Sequence, residues 1–160
     1  EWLLQQLADD FIIKPVENAP DVNEIILGKK WAFGLLVGDN AYKIRLKPEK
    51  IHDITWNFPT EIKELDLTVM HYFIFEKILH IPGQKQVDAR NINFQRNFTE
   101  CLREVLKGEV QFALITKDIS IDTVKQVCYS GYTMPQKSTY FYPKVISGFV
   151  FSSIEETFSP

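Results

Sequence analysis

The sequence predicts an α+β domain: a mixed β-sheet with packed helices, an N-terminal hairpin and a C-terminal β-α-β-α-loop-β run. Three observations predict it. Trp31, Phe33, Leu35 and Val37 alternate with smaller residues, and Tyr42, Ile44 and Leu46 with charged ones, on either side of Gly38-Asp39-Asn40, the pattern of a hairpin. Asn97 and Ser120 each open an apolar stripe at helical spacing that stops on a glycine, Gly108 and Gly131. Short apolar runs at 92–94, 112–115 and 145–151 flank those stripes as strands would.

Taken in order, Trp2, Leu3, Leu4 and Leu7 repeat at helical spacing up to Asp9-Asp10, and 11–13 then reads as a short strand stopped by Pro15. A short helix over 21–27 ends at Gly28. In the hairpin, Trp31, Phe33, Leu35 and Val37 form one strand, and Tyr42, Ile44 and Leu46 alternate with Lys43, Arg45 and Lys47 in the other. That basic face is a solvated sheet face or an anion-binding one. Residues 48–64 carry Pro48 and Pro59 with little periodicity, an irregular connection anchored by Trp56 and Phe58. Asp66 is read as the cap of a buried helix that carries Leu67, Met70, Phe73, Ile74, Ile78 and Leu79. In the next helix Asn97 is the cap, Glu100 is placed to return the hydrogen bond, and Phe98, Cys101, Leu102, Val105 and Leu106 point inward. Residues 112–115 suit an interior strand, and Ile121, Val124, Val127 and Cys128 form the inner face of the last helix.

Composition narrows the function classes. An apolar fraction of 45% with 24% charged residues describes a folded domain, and 160 residues suffice for one core without staples. A net charge of −3 argues against general polyanion binding, which needs clustered Lys and Arg to displace counterions. Cys101 and Cys128 are expected to be buried as small apolar groups, and two cysteines make no secreted-type framework. No apolar run reaches the roughly 18 residues of a membrane span, so a cytoplasmic location without membrane contact is expected. His71 falls on an apolar stripe and reads as a hydrogen-bonded core histidine; His52 and His80 have no ligand-like spacing to it, so no metal site is assigned. Because the chain opens at Glu1 inside a helical pattern, it is expected to be part of a longer polypeptide.

One segment carries unusual chemistry. From 133 to 144 the chain has no periodicity, and Lys137, Ser138 and Thr139 with Lys144 supply the ammonium charge and hydroxyl donors that hold a phosphate or carboxylate. Tyr140, Phe141 and Tyr142, between Pro135 and Pro143, would stiffen the loop and offer rings for stacking. Gly131 to Ser138 approaches the spacing of a Walker phosphate loop, but Gln136 occupies the second glycine's position and the helix-then-strand context is reversed.

Met134-Pro135-Gln136-Lys137-Ser138-Thr139-Tyr140-Phe141-Tyr142-Pro143-Lys144, followed by Ser147-Gly148-Phe149, resembles the C-terminal signature of the bacterial and archaeal family called domain of unknown function 1015. The resemblance extends over the chain, through Gly34, Tyr42, Leu65-Asp66-Leu67, Ile92 and Gly108, and implies the C-terminal half of such a protein. The family has no settled activity; an older label links it to ParB-like proteins. The sequence therefore leads to a ligand-binding half of a two-domain protein, with Lys137, Ser138, Thr139, Lys144, Tyr140 and Tyr142 as ligand-binding residues for a small anionic molecule. The alternatives are an interaction module that docks the N-terminal half or a second copy of the chain, and a DNA-associated role through Lys43, Arg45 and Lys47. No cofactor and no catalytic residue is assigned.

Overall fold

The hairpin is the centre of the sheet. Strand β2 (Ala32–Val37) and strand β3 (Asn40–Leu46) pair antiparallel with Val37 opposite Asn40. The two-residue link places Gly38 at φ +56° in its first position, as a hairpin turn matched to strand twist requires. Strand β1 (Phe11–Val16) pairs with the other side of β3, and β4 (Ala113–Ile115) with the other side of β2, giving the order β1-β3-β2-β4. The computed structural model describes residues 1–86, 90–129, 131 and 132.

The α+β class holds, with every pairing among the described residues antiparallel. The expected strand at 92–94 does not form: Ile92 packs on the core, Phe94 is exposed, and the chain there joins no ladder. Ile92 finds burial in the main core without a ladder partner, and Gln95 is engaged at the entry of the following helix, its side chain accepting from the Arg96 and Asn97 N–H groups. Strand β4 is half-buried at the edge of the described sheet instead of interior. The expected strand at 145–151 lies outside the described residues.

Alternation along the strands gives the sheet two different faces. On the first, Phe11, Phe33, Leu35, Ile44 and Leu46 join Leu7 of helix α1 (Trp2–Asp10) and Val69, Phe73 and Ile74 in the main core. These last three belong to one long apolar helix. It begins after α3 (Thr60–Lys63) as α4 (Asp66–Val69) and continues as a π-helix over Met70–Ile78. On the second face, Leu36 and Ala41 pack with Val22 of α2 (Val22–Ile26) and Val105 of α5 (Phe98–Leu106). Gly34 permits that approach, since a Cβ there would stand 1.9 Å from Val22 Cγ1.

Several local expectations are corrected. Asp66 does not cap its own helix; its carboxylate accepts the backbone N–H of Trp31 at 2.6 Å and pairs with Lys117 at 2.8 Å. Trp31 sits at φ +58°, an unusual conformation for a bulky residue, and that carboxylate holds it there together with an indole N–H bond to the Glu64 carbonyl at 2.8 Å. Asn97 caps α5 through the N–H groups of Thr99 and Glu100, but Glu100 turns to Arg103. Gln95 instead accepts from the Asn97 N–H. In α6 (Ile121–Tyr129) only Val127 is buried, and Cys128 is exposed; Cys101 is half-buried. The stripe of α6 is thus narrower than its apolar composition suggests.

Candidate anion-binding site

The six residues proposed from the sequence, Lys137, Ser138, Thr139, Tyr140, Tyr142 and Lys144, lie outside the described residues, as does the whole segment 133–144. The described part of the chain contains a cluster of cations on the second face of the sheet. Its origin is the register. Lys14 of β1 lies directly opposite Lys43 of β3, and Lys43 in turn lies opposite Gly34 of β2. The next row on the same face runs Ile12, Arg45, Ala32. Strands spaced about 4.8 Å apart, with same-face residues about 7 Å apart along each strand, bring the three cations within reach of one small ligand. Lys29, in the turn after α2, completes the group, its ammonium donating to the Ile25 carbonyl at 2.5 Å.

Among the described residues, this end of the face is exposed on its β1 side. Val22, Leu36, Ala41 and Val105 close the far end, whereas Ile12, Lys14 and Arg45 are exposed and Lys43 is half-buried. Beside Lys43 and Arg45, Gly34 and Ala32 of β2 are buried, Gly34 against Val22. Burial of its stem, then the ammonium groups of Lys29 and Lys14 and the guanidinium of Arg45, hold Lys43 below the ordinary lysine range. Among the described residues, no carboxylate lies within ion-pair distance of Lys14, Lys29, Lys43 or Arg45. The partnered acids sit elsewhere: Asp10 on Lys77 and Lys50, Glu64 on Lys30, Asp66 on Lys117.

Lys47, expected on this basic face, is not part of it. It follows the end of β3, and its ammonium donates to the Ala8 and Asp9 carbonyls at 2.9 and 3.0 Å, serving the C-terminal end of α1. Lys14 and Lys29 were not singled out by sequence. Alternation in 11–16 puts Lys14 on the polar face, but only the β1–β3 register reveals that it confronts another lysine.

The histidines do not contribute a site. His71 is buried in the π-helix, its Nδ1 bonded to Gln86 Oε1 and its ring edge against Phe75. Gln86 Nε2 donates to the His71 and Ile81 carbonyls, which fixes its amide and requires the His71 proton on Nδ1. That network is satisfied and structural, as the sequence suggested for His71. Among the described residues there is no cluster of three His, Cys, Asp or Glu side chains able to hold a metal, and no helix is long and apolar enough to cross a membrane.

Comparison of the chain with protein-family models, with curated proteins and with solved structures gave no match.

Proposed function

We propose that this domain binds a small anionic molecule carrying a phosphate or carboxylate, on the open end of the second sheet face. The observation that carries this reading is the direct opposition of Lys14 and Lys43, with Arg45 and Lys29 beside them. Like charges directly opposite in a ladder destabilise a sheet, so an arrangement that gathers four cations is accounted for by an anion that neutralises them. A small ligand fits better than DNA. With Lys47 turned to α1, the patch is a compact group and not a track along a backbone, whereas duplex binding of useful strength uses about 6–10 phosphate contacts.

Residues 137–139 and 144 are proposed as a second set of anion-holding groups, on their chemistry alone. The resemblance at 134–144 supports a proposal that the chain is the C-terminal half of a protein of the domain of unknown function 1015 family, with the N-terminal half as its partner.

The test is thermal unfolding of the full chain against increasing pyrophosphate, with chloride matched for ionic strength. A ligand that binds only the folded state at about 100 times its Kd adds about 2.7 kcal/mol, a readily measured rise in Tm. The rise should be lost in Lys14→Ala/Arg45→Ala and retained in Lys47→Ala. No rise in the parent protein, or an equal rise in the double variant, overturns the sheet-face assignment. Lys137→Ala, measured alongside, tests the loop independently.

A further inference from the structure

Independently of that reading, we propose that residues 145–151 add as a further strand to the outer edge of β4, which closes 133–144 into a loop held by the fold at both ends. Hydrogen-bond parity identifies the edge. Val37 and Asn40 close a two-residue link and so exchange bonds, and along β2 and β3 the bonded pairs then recur at Leu35–Tyr42 and Phe33–Ile44. Pro15 checks that phase: it lies opposite Tyr42, a position that asks for no N–H toward β3. Leu35 is therefore engaged with β3, Leu36 and Gly34 bond Ala113 and Ile115, and Leu114 turns its N–H and C=O away from β2. Among the described residues no strand lies beyond β4.

The two edges of the sheet differ in what they can accept. On β1, Ile12, Lys14 and Pro15 are exposed, and Pro15 has no donor to offer at its outward position. On β4 both faces are apolar and half-buried: Phe112 and Leu114 pack on the main core, Ala113 and Ile115 on the second one. A strand laid beside β4 must therefore be apolar on both faces, since helices cover the sheet on either side. Residues 145–151 meet that demand, with Val145, Phe149 and Phe151 at one parity and Ile146, Gly148 and Val150 at the other. The larger rings suit the main-core side, where Phe112 lies, and the smaller residues suit the side where α2 crowds Gly34. Reach is sufficient. The described chain ends at Tyr132, whose ring stands edge-on to Phe58 at 5.9 Å, and the twelve residues 133–144 span up to about 40 Å, the width of a folded chain of this length. Lys144 would then stand at the start of the added strand, and Lys137, Ser138 and Thr139 in the closed loop before it.

Amide hydrogen exchange of the full chain, read residue by residue by NMR, tests the pairing. The Leu114 N–H should exchange at least about 100-fold more slowly than an unstructured amide, and alternate amides within 145–151 should be slowed with it. Phe149→Pro and Val150→Pro then probe neighbouring positions whose N–H groups point to opposite sides of a strand. One of the two should release Leu114 at least about tenfold more than the other, while the Phe33 and Ile44 amides, which bond each other across β2 and β3, stay slow and report an intact sheet in both variants. Fast exchange at Leu114 in the parent chain overturns the proposal. So does a slow Leu114 that neither proline changes. Protection of Leu114 that grows with protein concentration, with a dimer in light scattering, assigns the edge to a second copy of the chain and overturns it as well.

Discussion

At the scale of single residues, Gly34 shows how closely the second face is built. The 1.9 Å approach to Val22 Cγ1, with Ile115 Cβ at 3.1 Å on the other side, leaves no room for a methyl group. Gly34→Ala should lower stability by about 1–3 kcal/mol, the range for overpacking a filled site, measured by urea denaturation. In a Val22→Ala background the same change should cost less, and an unchanged cost would show that the α2 contact is not the cause. His71 makes a different demand. Burial pushes its pKa below the ordinary 6.5, against a smaller opposing effect of the Gln86 hydrogen bond. The unfolded chain therefore binds a proton more readily than the folded one as acid is added. The stability it supports is complete above pH 6.5 and is lost as pH falls through the lower folded value. Urea midpoints of the parent should fall on acidification across that window, and His71→Gln should flatten this part of the curve.

At the scale of elements, the entries of α5 and α6 are held by side chains, whereas α1, α2, α3 and α4 carry no side-chain cap. The α5 entry is the clearest case. Asn97 Oδ1 accepts from Thr99 N at 2.9 Å and Glu100 N at 3.2 Å, and Gln95 Oε1 accepts from Arg96 N at 2.8 Å and Asn97 N at 3.2 Å. Asn97→Ala should cost about 1 kcal/mol, while Glu100→Gln, which loses only an exposed pair with Arg103, should change stability by less than about 0.5 kcal/mol. Equal losses would restore a reciprocal capping role to Glu100. The same element shows what sequence conveys. Asn97 as cap, Gly108 as stop and the inward Val105 follow from spacing, because capping and amphipathicity are local. The exchange of Glu100 for Gln95 does not, since two side chains of similar reach compete for one N–H. The tie from Asp66 to Trp31 is equally hidden, for it joins residues 35 apart in sequence and depends on a backbone at φ +58°. The candidate site follows the same rule: the basic alternation of Lys43 and Arg45 was legible, whereas Lys14 joined them only through pairing register. Lys47 left them because α1 ends beside it, which no local pattern announces.

At the scale of the molecule, the two ends of the main core are locked by one buried carboxylate. Asp10, at the junction of α1 and β1, is 1% exposed; both its oxygens accept from Lys77 of the π-helix, at 2.8 and 2.7 Å, and Lys50 stands 3.4 Å away. The Lys77 ammonium also lies 5.5 Å from the centre of the Phe73 ring. An acid at the C-terminal end of a helix opposes the helix dipole, so Asp10 is tolerated through these cations and through Lys47, which occupies the last carbonyls of α1. Removing Lys77 leaves a buried charge facing only the more distant Lys50. Lys77→Ala should therefore destabilise by about 1–3 kcal/mol, below the full value for a wholly buried pair because the Lys77 side chain is 46% exposed. Asp10→Ala/Lys77→Ala should cost clearly less than the sum of the two single changes, since the second substitution removes the group that the first left uncompensated. Additive losses in urea denaturation would mean that Asp10 and Lys77 stabilise the fold through separate contacts, and the link between α1, β1 and the π-helix would then rest on Leu7, Phe11 and Phe73 alone.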